Sequence, residues 1–398
     1  MKITDVRAIL LSCDYPSDDR PVFPGGVGLR KHVALVQLAT DAGLTGLGEI
    51  GDGAFFPEAV PIFVERLSPL LMGQDPTRIR SLCEKMFRAS TYWGQRGLAV
   101  GVISGLEVAL WDLLGQATGQ PVYDLLGGLY YDRLRLYAGG VAKPLDQLTD
   151  QLRGFVAEGY TAVKVRIGQA FPGADGSRRE TSRSIAPDIE VVRVARAAIG
   201  ADVDLLVDAG QSQAPSPWSV GTAIRVAREL QEYDVFWLED PYRTDDLDGL
   251  AAVAAAVDVP IAVGEATATL TDFAALIERR AADILQPDVI HAGGLNECKR
   301  IATLAGVRGV PIAPHCWWSG VGLMATLHFI ASTPGCIITE FSRAPFTLRE
   351  ALLLAPLEVE DGYLRMPRTP GLGVHLPPGI EEQYPFRPGP TWKPVPAW

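Results

Sequence analysis

Leu205-Leu206-Val207-Asp208, Val235-Phe236-Trp237-Leu238-Glu239 and Ile261-Ala262-Val263-Gly264-Glu265 are three short apolar runs, and each ends on a carboxylate. Runs of this length, rich in apolar and β-branched residues, read as buried strands. A carboxylate closing a buried strand is costly unless a cation or a donor receives it. Hard divalent cations such as Mg²⁺ take oxygen ligands of this kind, so the chain is read first as a metal-dependent enzyme.

Working outward, eight comparable runs alternate with helical patterns from about Leu134 onward: Leu134 to Ala138, Ala162 to Arg166, Val203 to Asp208, Val235 to Glu239, Ile261 to Glu265, Asp283 to Pro287, Pro311 to His315 and Ile337 to Glu340. That alternation predicts parallel strands joined by crossover helices, an α/β class, and eight units predict a closed barrel with its active site at the strand C-terminal ends. The carboxylates sit at those ends. The longest gap absorbs a Gly-, Ser- and Arg-rich insertion, Gln169 to Pro187, expected to be a mobile loop beside the second strand.

Residues 1 to about 130 read differently. Ile3 to Ser12, His32 to Thr40 and Leu44 to Glu49 are expected strands, with a hairpin turn at Asp41 to Gly46, and helices are expected at Phe56 to Leu71, Pro76 to Phe87 and Leu98 to Thr118. A small α+β domain follows, and the Gly-, Pro- and Asp-rich stretches Asp14 to Lys31 and Gly51 to Phe56 suit a lid over a barrel mouth. The segment Pro377 to Trp398, with seven prolines, predicts an extended surface tail with no further element.

Composition narrows the function. With 47% hydrophobic and 21% charged residues and no run expected to serve as a membrane span, the 398-residue chain reads as soluble. The N-terminus lacks the pattern of a secretion signal, and five scattered cysteines read as reduced thiols, so a cytoplasmic location is expected. A net charge of −11 opposes nucleic-acid binding. An acidic substrate must then be held by local Lys, Arg or metal charge.

Further motifs supply these groups. Lys164 and Arg166 end the second strand two residues apart, so both point to one face, which in a barrel is the interior. Gln286-Pro287-Asp288, Ala313-Pro314-His315 and Thr339-Glu340 end the sixth, seventh and eighth strands. An Asp beside a His fixes the imidazole tautomer and stabilises the imidazolium, which makes Asp288 and His315 a candidate general base. Trp317 and Trp318 are read as a substrate wall or as packing, His291 as a cavity or loop residue, and His328, inside an apolar helix, as a core residue. His32 and His375 carry no functional signal, and Gly293-Gly294 is too short for a phosphate loop.

The order Lys-x-Arg, Asp, Glu, Glu, Asp, His, Glu on strands two to eight resembles the enolase superfamily, in its mandelate racemase and muconate lactonizing enzyme branch. Ser104 to Asp112 resembles that family's helix leading into the barrel, and Ile284 to Asp288 with Gly293-Gly294-Leu295 resembles its strand-six signature. The resemblance implies a modified TIM (β/α)7β barrel over residues 131–350, an N-terminal α+β capping domain over 1–130, and a C-terminal segment, 351–398, returning to the cap. It implies Asp208, Glu239 and Glu265 as Mg²⁺ ligands, Asp288 and His315 as the dyad, Lys164 and Arg166 as the strand-two cations, Glu340 as the strand-eight acid, and a homo-oligomer acting on a small carboxylate. Two positions depart from the family pattern: Arg166 replaces the usual second Lys, and Gly210 replaces the usual Asn. An Arg is a poor proton acceptor, which leaves His315 as the better base. One base on one face suits dehydration of a sugar acid to a 2-keto-3-deoxy acid. The alternatives are a racemase or epimerase of a 2-hydroxy acid and a cycloisomerase of a sugar-acid lactone. A metabolite sensor without catalysis is disfavoured by the complete set of acidic residues and the dyad.

Overall fold

The computed structural model describes residues 1–17, 20–23, 26–141, 143–168, 184–214 and 217–394. The insertion expected to be a mobile loop lies outside them from Gln169 to residue 183, and its last residues already enter the helix Ala186–Ile199.

Eight parallel strand positions close into a barrel. The strands Leu134–Gly139, Ala162–Arg166, Asp204–Asp208, Val235–Glu239, Ile261–Val263 and Ile284–Leu285 are hydrogen-bonded in sequence order. The seventh position is held only by bridges from Ile312 to Leu285 and to Cys336, and the eighth strand, Thr339–Ser342, pairs in parallel with the first. The expected strands five to seven are shorter than their apolar runs suggest. In the sixth and seventh, Pro287, Pro311 and Pro314 interrupt the ladder, since proline cannot donate to it; the fifth ends before Gly264. Among the described residues seven helices of eight residues or more join these positions, from Leu145–Ala157 to Gly320–Ala331. This is the (β/α)7β arrangement.

Period-two alternation decides what fills the barrel. Tyr137, Ala162, Leu206, Trp237, Ala262, Ile284, Ala313 and Ile338 form one buried interior layer. Two residues further along the strands stand Lys164, Asp208, Glu239, Gln286, His315 and Glu340, so the layer above the apolar floor is almost wholly polar.

The N-terminal domain pairs Ile3–Asp14, Arg30–Thr40 and Thr45–Glu49 in an antiparallel sheet, packed on the helix Leu98–Thr118. That 21-residue helix is long and apolar enough to cross a membrane by length and composition, contrary to expectation, but 83% of its apolar window is buried within the protein. It is a core helix lying between the sheet and the barrel. The C-terminal segment also departs from expectation. It contains a short helix, Ile380–Gln383, and a strand, Trp392–Pro394, that pairs with Gly26–Gly28, while Pro385 bridges to Leu11. Its prolines leave enough free N–H groups to add an edge to the N-terminal domain.

Candidate active site

Strand register sets the first acids side by side. Arg166 pairs with Asp208, and Asp208 with Glu239, across neighbouring strand ends. Glu265 reaches the same mouth by another route. Alternation would place Gly264 inward; with φ of 136° the glycine turns the chain as its strand ends, and a side chain there would stand 2.9 Å from Phe273 and 3.0 Å from the Gln286 nitrogen. Glu265 is thereby carried toward His315, whose Nε2 lies 3.6 Å from its Oε2.

The two strand-two cations are bound by these acids. Lys164 Nζ lies 2.8 and 3.1 Å from the Glu239 oxygens and 3.1 Å from Glu340. Burial would lower its pKa, but Glu239 and Glu340 outweigh burial and hold it well above the ordinary lysine value. Arg166 donates through Nε and Nη2 to Asp208 Oδ2 at 3.0 and 2.6 Å. Burial opposes its charge, yet Asp208 and Glu265 raise its pKa further, so Arg166 stays protonated. Asp208 is lowered in turn, its burial outweighed by Arg166 and Lys164. Glu239 is pushed up to about 7 by burial, partly offset by Lys164, with Asp208, Glu340 and Glu265 adding repulsion.

Asp288 and His315 meet as the sequence suggests. His315 Nδ1 donates to Asp288 Oδ2 at 2.6 Å, since an ionised carboxylate only accepts, and Ile290 N–H donates to Oδ1 at 3.0 Å. His315 Nε2 is left facing Glu265. Burial disfavours the imidazolium, but the Asp288 hydrogen bond and the charges of Glu265 and Glu340 raise its pKa to about 10. Glu340 is held low, with Lys164 and His315 outweighing its burial, and its Oε2 also accepts the Cys316 N–H at 2.8 Å.

Several groups at the mouth are not legible in the sequence. Gln213 donates to Glu265 at 2.7 Å, Trp237 Nε1 donates to Glu239 at 3.1 Å, and Trp318 Nε1 donates to Asp288 Oδ2. Asp240, directly after Glu239, is buried with one oxygen unpartnered and the other bound by Ser212. Gln286 shares the interior layer with both amide atoms unpartnered. Only its place two residues before Asp288 could have signalled it. His291 forms an interdomain pair with Asp52 at 2.9 Å, and His328 is a core residue whose Nδ1 accepts the Tyr123 N–H at 3.0 Å. Gly210, the departure from the family's Asn, has φ of 55° and ψ of 29°, the left-handed region that Asn tolerates best among side-chain-bearing residues.

The donor set suits a hard divalent cation. Asp208, Glu239 and Glu265 supply only oxygen, from adjacent strand ends, and their repulsion is visible at Glu239. As the side chains stand, no three acidic, His or Cys groups among the described residues converge to hold an ion. The reason is local competition: Asp208 is turned to Arg166, Glu239 to Lys164, and Glu265 to Gln213.

Comparison with known proteins identifies the family. Residues 26–127 match the family described as Mandelate racemase / muconate lactonizing enzyme, N-terminal domain, and residues 147–380 match Enolase C-terminal domain-like. Arabinonate dehydratase of Saccharolobus solfataricus is 32% identical, covering 96% of this chain and 99% of its own. D-galactarolactone cycloisomerase of Agrobacterium fabrum is 34% identical, covering 94% and 97%. The crystal structure of a racemase from Streptomyces coelicolor A3(2) with bound magnesium is 29% identical, with a TM-score of 0.81 over 94% of this chain and 97% of that one. The chain is an enzyme of the enolase superfamily and belongs to its mandelate racemase and muconate lactonizing enzyme branch.

Proposed function

We propose that the enzyme is a Mg²⁺-dependent dehydratase of a sugar acid, with His315 removing the proton α to the carboxylate. The observation that carries this reading is the asymmetry of the mouth. On one side His315 is oriented through Nδ1 by Asp288, with Nε2 facing Glu265; on the other, Arg166 and Lys164 are cations locked in ion pairs.

Charge counting supports the metal. Asp208, Glu239, Glu265, Asp288 and Glu340 face Lys164, Arg166 and His315. Even with the imidazole protonated and Glu239, at about 7, only partly ionised, these carboxylates outnumber the three cations and leave a net negative charge that a divalent cation would offset. Burial, with the neighbouring acids, raises the Asp240 carboxyl well above the usual range and disfavours its charge. Asp208, Glu239 and Glu265 would hold the ion, which when bound supplies positive charge against the negative charge that builds on the substrate carboxylate.

The chain's own groups do the rest. Lys164, fixed between Glu239 and Glu340, presents a permanent cation to the substrate acid group. Glu265 helps hold His315 protonated, and a cation held by Glu265 would weaken that hold and favour the neutral imidazole that can accept a proton. The same His315 then returns the proton to a hydroxyl leaving on its own face, giving an enol that becomes the 2-keto-3-deoxy acid. Five free cysteines suit a cytoplasmic enzyme.

A lactone cycloisomerase is the second reading. It is favoured by the 34% identical D-galactarolactone cycloisomerase and by the single base, because a ring carboxylate leaves without needing a proton. The test is a screen of aldonic acids, aldaric acids and their lactones with Mg²⁺ in D₂O, comparing wild type with His315→Asn. The expected result is elimination or α-proton exchange by wild type on one epimer only, and neither by the variant. Substantial exchange by His315→Asn would remove His315 as the base and restore a two-base racemase.

A further inference from the structure

Trp318 lies in the segment that follows the base, and its indole packs against the base and its acidic partner. It is 6% exposed, stands edge-on to the His315 ring at 5.8 Å between centroids, and gives its one N–H to Asp288 Oδ2. That is the same oxygen that receives His315 Nδ1. With Ile290 N–H on the other oxygen, three donors hold the carboxylate, and two of them converge on the atom that orients the base. An imidazole is positioned only as well as the group that orients it.

The segment carrying Trp318 is itself held from the N-terminal domain. Lys31, 5% exposed, donates through Nζ to the Trp317 carbonyl and stands 3.6 Å above the Trp317 ring, 4.7 Å from that of Phe346 and 5.6 Å from that of Trp318. Tyr15, from the same domain, stacks on Trp317 at 6.3 Å. Just beyond, Glu49 accepts the N–H and hydroxyl of Ser319 and the N–H of Gly322. A lysine and a glutamate of one domain thus grip the backbone on either side of Trp318.

We infer that Trp318 is a positioning residue for the base, acting through Asp288, and that Lys31 of the N-terminal domain sets Trp318 through the Trp317 backbone and ring. The domain is then more than a cover for the mouth: its seating on residues 317–322 orients the group that removes the proton. This rests on His315 being the base, as proposed above.

The experiment uses the full-length Mg²⁺-loaded enzyme with whichever acid sugar turns over, and measures kcat, KM and α-proton exchange in D₂O. Trp318→Phe keeps an aromatic ring beside His315 and removes only the N–H. We expect kcat and exchange to fall together by about tenfold, with KM within about twofold, as befits loss of one hydrogen bond to a charged acceptor. Lys31→Met keeps the aliphatic stem and removes the bond to the Trp317 carbonyl; a severalfold fall in kcat at nearly constant KM is expected. If the two act along one route, the double variant falls no more than about twofold below Trp318→Phe. Unchanged kcat in Trp318→Phe, a loss confined to KM, or full additivity in the double variant would overturn the inference. Should Trp318→Phe fail to fold, a folded Lys31→Met with wild-type kcat would overturn it equally. His315→Asn separates this inference from the reading beneath it. If that variant retains exchange, the base assignment fails; if it is inactive while Trp318→Phe is normal, only the role of Trp318 fails.

Discussion

Glu239→Gln should uncouple the protein from Mg²⁺ while leaving the fold in place. The side chain is fully buried and bonds Lys164 at 2.8 and 3.1 Å and Trp237 Nε1 at 3.1 Å. An amide of the same shape still accepts from Trp237, and Lys164 keeps Glu340 at 3.1 Å, so no buried charge is left alone. What disappears is one of three anionic ligands. For wild type at a Mg²⁺ concentration about 100 times Kd, binding contributes about 2.7 kcal/mol to stability. With an unfolding entropy of about 2.1 cal/mol/K per residue, roughly 0.8 kcal/mol/K for 398 residues, Tm rises by about 3 °C. If the variant loses affinity by about a hundredfold, the contribution at the same Mg²⁺ concentration falls to about 0.4 kcal/mol and the rise to about 0.5 °C. Differential scanning calorimetry in EDTA and then in Mg²⁺ reads both numbers. An equal rise in wild type and variant would refute the ligand assignment of Glu239, and no rise in wild type would refute the metal centre itself.

Three further outcomes are expected. The buried His328, lowered to about 4 by burial against the opposing Leu372 carbonyl bond, stays neutral in the fold, so the unfolded chain binds the extra proton as pH falls below about 6.5. Urea unfolding should therefore show stability falling by about 2 kcal/mol from this residue between pH 7.5 and 5, and His328→Gln should flatten that part of the slope; an unaltered slope would refute it. Glu107 accepts from Leu295 N, Asn296 N and Trp111 Nε1 at 2.8, 3.0 and 2.7 Å, so Glu107→Ala should cost about 3 kcal/mol or more by chemical denaturation through the donors it strands; a change below about 1 kcal/mol would count against this. Asp52→Asn should drop the His291 pKa from about 9 toward about 6.5 in an NMR titration, since Asp52 is the largest contributor raising it against burial; an unmoved pKa would show that Asp52 does not charge His291.

Much of this protein was legible in local pattern. Strands and helices announce themselves by period, and the two-residue spacing of Lys164 and Arg166 puts both on the barrel interior, while Asp208, Glu239, Asp288, His315 and Glu340 are legible as the residues that end their strands. Chemistry at pH 7 separated Arg166 from a usable base. Local pattern overreached where proline cut strands short at Pro287, Pro311 and Pro314, and where a proline-rich tail still supplied a strand, Trp392–Pro394. The helix expected at Leu98–Thr118 is present, but its apolar length, which fits a lipid bilayer as well as a protein core, was not recognised. The surrounding sheet and barrel decide between them.

What only the tertiary structure decided are contacts between residues far apart in the chain. Glu265 follows Gly264, whose positive φ and close approach to Phe273 and Gln286 leave no room for a side chain. Trp318 finds Asp288 thirty residues away, and Lys31 finds Trp317 across 286 residues. By itself the sequence determines the repeating units and the residue types at each strand end, because these follow from short-range periodicity and intrinsic acidity. It does not state which of several nearby donors an acid will choose, because that choice depends on distances of a few tenths of an ångström set by the packing of both domains at once.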